Sequence, residues 1–316
     1  MNSGNKTGEL LPLTFSFGCG IHWELSSSVD CKPWLTHFFS LLNHPLRNLQ
    51  VNDTLIKVFF SQSAPFLPDS LDSMEFLDST EFPEPSSWVF LPRKTLNFYS
   101  TPTFTHVYVH IHTVPEPSGI LNMWMATEFL YWPLIKAGAF PLHAALVGLN
   151  QDGLVLCAPG GTGKSTCISR LPTPWVGYAE DEVLILPDAK EGFVAWPLPT
   201  WASYYRKIEE QKNLPLLLEP LHLKYICFLR QGAPDQYLEW GRGKVASHLF
   251  QSSIQVVRKF RTPDNKGWNQ SLTHSLFNNI VNCALKISAG ELLATKTGAF
   301  WDHWPLAQRW GEGICE

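Results

Sequence analysis

The sequence has no Cys-X-X-Cys pair, no basic segment leading into a long N-terminal apolar run, and no large excess of charge of either sign. Each absence closes a class. The seven cysteines, Cys19, Cys31, Cys157, Cys167, Cys227, Cys283 and Cys315, are odd in number and scattered. That disfavours a disulfide framework or a structural zinc site and suits a reduced, cytoplasmic setting. The opening MNSGNKTGELLPLTF carries no signal-peptide pattern. The most apolar stretch, Ile120 to Leu149, is interrupted by Glu128, Pro133, Lys136, Pro141 and His143. It reads as a buried helix followed by a strand rather than a membrane span. A net charge of −4 argues against non-specific binding to nucleic acid or an anionic membrane, so neither is expected as a partner. A homo-oligomer is left open.

What is present is core material. The 316 residues are 45% hydrophobic and 16% charged, enough for one large or two modest domains. Thirteen Trp and twenty Phe imply thick aromatic packing, or a broad surface for a peptide or partner.

Residues 1–115 read as a β-rich N-terminal domain, with strands in LPLTFSFGC, TLIKVFF, SSWVFL and HVYVHIHTV. Between them, Ser61 to Ser87 is rich in Pro, Ser and Asp and reads as a long loop. PEPSG at 115–119 marks a break, and residues 116–316 form a second unit. It opens with ILNMWMATEFLYWPLIKAG, a helix bent or ended near Pro133. The patterns then predict strands in HAALVGL, LVLCA, VLIL and HLKYICFL, and a helix over 245–250. A last helix, WNQSLTHSLFNNIVNCALKI, has Leu272, Leu276, Ile280 and Cys283 on one face.

The chemistry concentrates in APGGTGKST, Ala158 to Thr166. A strand, a Gly-rich turn and a helix start form an anion site because successive backbone N–H groups converge, reinforced by the helix dipole. Gly160, Gly161 and Gly163 permit the tight backbone, with Thr162 between them. Lys164 would contact the β- and γ-phosphates of a nucleotide, and the Ser165 hydroxyl would bind Mg²⁺. Ala158 stands where the pattern has its first Gly, and its small side chain should matter little. Pro172 and Pro174 stop the helix that begins here, so it is short.

Two flanking features add to the loop. Upstream, HAALVGL-NQDG-LVLCA reads as a β-hairpin with Asp152-Gly153 in the turn. Pairing Leu149 with Leu154 places His143 opposite Gly160, and a slip of one or two residues still leaves it beside the loop. Downstream, Glu180-Asp181-Glu182 follows soon after the short helix. A carboxylate there can bind Mg²⁺ through water or accept a proton from an attacking hydroxyl. A solvated acidic turn is the alternative.

His143, the loop and the acidic pair together resemble the HPr kinase/phosphorylase family and the related ATP-type phosphoenolpyruvate carboxykinases, over roughly residues 138–190. The whole-chain layout is similar to HPr-kinase-like proteins of peptide-modification clusters, of the SynChlorMet cassette protein ScmC type. The resemblance implies an α/β fold with a carboxykinase/HPr kinase-like P-loop core. It also implies ATP and Mg²⁺ as cofactors, Asp181 as the base for an acceptor hydroxyl with His143 tuning it, and Glu182 as a metal ligand. The implied activity is a kinase acting on a Ser or Thr of a peptide or small protein. The Glu-Val-Arg-Gly signature of HPr kinases is absent, which separates the chain from the phosphorylase reaction and from HPr as substrate. A non-catalytic, ATP-gated partner in a peptide-maturation assembly and a small-metabolite kinase remain as alternatives.

Among weaker signals, Arg242 in GRGK is the best-placed C-terminal cation for transferring phosphate. In HVYVHIHTV, His106, Tyr108, His110 and His112 share one strand face and Val107, Val109 and Ile111 the other. That pattern fits a half-exposed strand better than a zinc site.

Overall fold

The computed structural model describes residues 12–42, 44, 53–63, 88–93, 95–112, 119–190, 192–199, 215, 217–258 and 266–304. The segment expected as a long loop lies, from residue 64 onward, outside the described residues. The chain is mixed α/β with two sheets.

The first sheet has six strands: β1 (Leu13–Phe15), β2 (Ile21–Ser27), β3 (Thr54–Ser61), β4 (Val89–Pro92), β5 (Leu96–Ser100) and β6 (His106–Ile111), in the order β1-β2-β3-β6-β5-β4. The β2–β3 and β3–β6 pairs are parallel and the others antiparallel. A parallel neighbour needs a crossover, and α1 (Lys32–Leu42) lies within the one between β2 and β3. This helix departs from the strands-and-loops reading of the N-terminal half. Its Trp34, Leu35, Phe38 and Leu42 are buried at helical spacing, with Trp34 stacked on Phe38 at 5.2 Å. On β6, Val107, Val109 and Ile111 are fully buried and His106 and His110 are half-buried, while Tyr108 on the histidine face is buried, with its hydroxyl donating to the Ser63 carbonyl at 2.9 Å.

Two helices follow, α2 (Gly119–Ala126) and α3 (Glu128–Lys136). The break falls at Thr127, not at Pro133, which lies inside α3. Pro133 lies past the first turn of α3, so the helix forgoes one i→i−4 bond there. Every residue of α3 from Glu128 to Ile135 is buried, the mark of a helix packed on all sides. Buried Glu128 takes both Arg93 and the Trp132 indole N–H, the latter at 2.9 Å. Asn279 donates to the carbonyls of Ile135 and Ala139 at 2.8 and 2.9 Å, capping the C-terminus of α3.

The second sheet has eight strands: β7 (Phe140–Leu149), β8 (Asp152–Cys157), β9 (Val176–Ala179), β10 (Glu182–Asp188), β11 (Gly192–Leu198), β12 (Leu221–Gln231), β13 (Gln236–Glu239) and β14 (Ser288–Ala294). Its order is β11-β10-β7-β8-β12-β14-β13, with β9 also on β7. β8, β12 and β14 run parallel. β11 pairs again with the start of β12, so five strands close into a ring at that end. Helices α4 (Lys164–Ser169), α5 (Arg242–Val257) and α6 (Lys266–Lys286) complete the unit. α5 extends well beyond the expected 245–250. On α6, Leu272, Leu276, Ile280 and Cys283 are buried together, as the spacing predicts. Trp196 of β11 donates to the Phe17 carbonyl at 3.0 Å, and Phe38 of α1 meets Phe129 of α3, so one apolar core is continuous between the sheets.

The β7–β8 hairpin is one register step tighter than expected. Leu149 pairs with Asp152, the turn is Asn150-Gln151, and Asn150 holds φ +58°. Asn tolerates that left-handed conformation at a two-residue turn, so it supplies the corner in place of Asp152-Gly153. The six described cysteines are all free thiols. Among the described residues no helix is long and apolar enough to cross a membrane.

Candidate functional site

The Gly-rich loop lies between the end of β8 and the start of α4. Gly161 and Gly163 adopt φ of +78° and +106°, the conformations that free the loop to curl. Gln231, at the end of β12, donates to the Thr162 carbonyl at 3.1 Å and braces the loop from outside. Ser165 and Thr166 are exposed at the head of α4.

Lys164 turns inward and is buried, 7% exposed. Its Nζ donates to the Ala158 carbonyl at 2.6 Å and lies 2.9 Å from His143 Nε2. The His143 Nδ1 in turn lies 3.2 Å from Asp181 Oδ1. Three residues from β7, the loop and the β9–β10 junction thus form one chain, Lys164–His143–Asp181. Because an amine donates to Nε2, the other ring nitrogen carries the proton and donates to the carboxylate, which assigns the Nδ1–H tautomer. Burial pulls the Lys164 pKa below its ordinary value, with Asp181 and the Cys157 thiol opposing the shift.

The strands fix this chain by register. His143 pairs with Glu182 across β7 and β10, and the Ala144 N–H donates to the Asp181 carbonyl at 3.0 Å. His143 is the single residue of β7 that is not buried. A polar residue interrupting an otherwise apolar strand was the legible signal. Ser252, from α5, donates to the His143 carbonyl at 3.2 Å and fixes the backbone there.

Glu182 lies elsewhere. It is 4% exposed, and its two oxygens accept hydrogen bonds from the Trp124 indole at 3.1 Å and the Tyr131 hydroxyl at 2.6 Å. Asp181 lies in the turn between β9 and β10 and reaches the loop side, while Glu182, the first residue of β10, turns into the core against α2 and α3. The structure thus places Glu182, expected beside the loop as a metal ligand, on Trp124 and Tyr131 instead. Burial and the neighbouring carboxylate hold the Tyr131 pKa well above its usual value, so it stays a donor. Trp124, Tyr131, Ser252 and Gln231 were not foreseen, since no local spacing relates them to the loop.

Arg242 is not at the loop either. It donates to the Ala284 and Leu285 carbonyls, closing the end of α6. Among the described residues no cluster of three or more His, Cys, Asp or Glu could hold a metal, the β6 histidines included. An Mg²⁺ ion here would rest on the Ser165 hydroxyl, Asp181, waters and nucleotide oxygens. Such sparse protein ligation suits Mg²⁺, which keeps several waters and leans on substrate phosphates.

Fold and loop together define a mixed α/β protein with a glycine-rich loop backed by a Lys–His–Asp chain. The SynChlorMet cassette protein ScmC family matches residues 110–305, more than half of the chain, and the chain belongs to that family. The matched span holds α2, α3 and the whole eight-stranded sheet. No curated protein matches the chain.

Proposed function

We propose that this chain is an ATP- and Mg²⁺-dependent kinase, with an HPr kinase-like P-loop core, that transfers the γ-phosphate to a Ser or Thr hydroxyl of a peptide or small protein. The observation that carries this reading is the Asp181–His143–Lys164 chain at the Gly-rich loop. It puts the Asp181 carboxylate and the Lys164 amine on the two nitrogens of one imidazole.

In this reading Lys164 leaves the Ala158 carbonyl for the β- and γ-phosphate oxygens, where charge builds in the transition state. Ser165 and Asp181 would hold Mg²⁺, which would supply positive charge to the same oxygens. The acceptor oxygen forms its bond to the γ-phosphorus as the bridging bond to the β-phosphate breaks, and ADP leaves. The hydroxyl proton passes to Asp181, whose Oδ1 is kept in place by the His143 Nδ1–H. His143 positions the base and couples it to Lys164.

The test is γ-labelled ATP with Mg²⁺ and Ser-containing peptides, comparing wild type with Asp181→Asn. The amide still accepts from His143, so the variant is expected to fold and bind ATP while transfer drops about 10²–10⁴-fold. Retained function in Asp181→Asn would support an ATP-gated binder. No binding of ATP by the wild type would refute the nucleotide site itself.

A further inference from the structure

A cavity of about 390 Å³ opens beside the loop, bounded by Ala158, Pro159 and Thr162 on one side and by α5 on the other. Its floor is the carboxyl ends of the parallel strands β8 and β12, where open α/β sheets hold their ligands. Two contacts tie it to the γ-phosphate end of the loop. Ala158, in its wall, holds the Lys164 amine, and Ser252, also in its wall, holds the His143 carbonyl.

The lining bears on which ligand the cavity takes. Trp240 is the large ring of the cavity. Phe228 stacks on it at 4.9 Å and 12°, Lys244 sits 3.6 Å from its centroid, and His248 leans on it at 4.7 Å. Phe228, Lys244 and His248 already contact the Trp240 ring, so a nucleobase would compete with them to stack on it. The lining is also neutral. Arg230 is paired with Glu291 through two contacts, at 2.7 and 3.4 Å, and burial followed by Lys244 holds His248 below its ordinary pKa. The two charges of the lining offset each other, and the exposed Lys244 lies beside Trp240.

What the cavity presents is amide. His248, Gln251, Ser252 and Gln255 lie at i, i+3, i+4 and i+7 on α5, all on the face that lines it. Gln251 and Gln255 are exposed at the mouth, about 5–6 Å apart at that spacing. Alternate peptide groups of an extended chain repeat at about 6.5–7 Å, a span the flexible Gln side chains can reach by opening slightly, so the two carboxamides can meet the donors and acceptors of a peptide backbone.

We infer that this cavity is the acceptor site, and that it takes an extended, uncharged peptide segment through Gln251 and Gln255, presenting its Ser or Thr hydroxyl toward Lys164 and Asp181. The inference rests on the kinase reading above. The test uses the full chain, γ-labelled ATP, Mg²⁺ and a positional-scanning library of Ser- and Thr-centred peptides, with Mg-ATP affinity measured in parallel by calorimetry. In Gln251→Leu/Gln255→Leu, Mg-ATP affinity and water-directed ATP hydrolysis are expected to stay within about twofold. Transfer efficiency to the best peptides falls at least about tenfold, chiefly through KM. In Gln251→Glu/Gln255→Glu, the preferred peptides shift toward Lys and Arg beside the acceptor. Unchanged transfer and preference in both variants overturn the assignment. A loss of Mg-ATP affinity in the Leu variant gives the cavity to the nucleoside instead. Wild-type binding of Mg-ATP without transfer to any peptide pool removes the peptide as acceptor. Failure of the wild type to bind Mg-ATP removes the kinase reading itself.

Discussion

Replacing Glu182 separates two roles for one carboxylate. As a metal ligand it would matter to Mg²⁺ and little to folding. As the anchor seen here it accepts from Trp124 at 3.1 Å and Tyr131 at 2.6 Å while 4% exposed. Hydrogen bonds to a charged acceptor contribute about 1.5–3 kcal/mol each. Glu182→Ala removes the shared charged acceptor of the half-buried Trp124 indole and the buried Tyr131 hydroxyl, for an expected loss of about 3–5 kcal/mol. Glu182→Gln keeps one acceptor, and the Tyr131 hydroxyl can rotate to accept from the new amide, so about 1–2 kcal/mol is expected. At about 2 °C per kcal/mol for a chain of this size, that is a fall in Tm of about 6–10 °C for Ala and 2–4 °C for Gln. Thermal melts followed by circular dichroism give the first number. Titration of ATP turnover with Mg²⁺ gives the second, and half-saturation should stay within about twofold in Glu182→Gln. Wild-type melting with a tenfold higher Mg²⁺ requirement would refute the anchor and return Glu182 to the metal.

Lys164→Met should abolish Mg-ATP binding yet raise the melting temperature at neutral pH, because a buried amine no longer has to lose its hydration. Burial depresses the Lys164 pKa, so between that lowered value and 10.5 the unfolded chain binds the extra proton and wild-type stability rises with pH. The penalty is complete below the folded pKa, and urea midpoints from pH 7 to 10 should show the Met advantage shrinking. Gly177→Ala would put a Cβ 2.5 Å from Ile168 Cγ2, forcing α4 off β9. It should cost about 1–3 kcal/mol and weaken Mg-ATP binding by calorimetry, with Ile168→Ala restoring most of both. Glu128→Gln leaves the Arg93 guanidinium, 4% exposed, without its counter-charge. Urea unfolding should show a loss of about 3–5 kcal/mol with Mg-ATP affinity unchanged.

The parts of the fold that read directly from the sequence are those whose geometry is set within a few residues. The short α4 follows from Lys164 after Gly163 and from Pro172 beyond its end, and the buried face of α6 follows from Leu272, Leu276 and Ile280. The hairpin register did not, because a shift of two residues keeps every side chain on its own face and leaves the hydrophobic pattern of β7 and β8 unaltered. Only the left-handed Asn150 distinguishes the two registers. SAGELLA at 288–294 has a helix-like composition, and it is a strand because β12 and β13 hold it from both sides. Helix α1 was hidden by its aromatics, which suit a strand as well as a helix face when no partner is known.

The site divides along the same line. The juxtaposition of His143, Lys164 and Asp181 was legible because the loop fixes Lys164, β7 carries its one polar residue near the loop, and the short α4 returns the chain to the turn that holds Asp181. Glu182 was expected beside the loop as a metal ligand, and its carboxylate turns away from that of Asp181. Asp181 lies in the turn between β9 and β10, which lets it reach His143 while Glu182, the first residue of β10, faces α2 and α3. There it meets Trp124 and Tyr131, more than fifty residues earlier in the chain, which no spacing near the loop could reveal. That divergence has a mechanical consequence. The pair Trp124–Glu182 ties α2 to β10 and the pair Tyr131–Glu182 ties α3 to it, while Glu182 itself lies in register with His143. The buried carboxylate thus holds the strand that presents Asp181, and the helices that join the two sheets set the position of the proposed base.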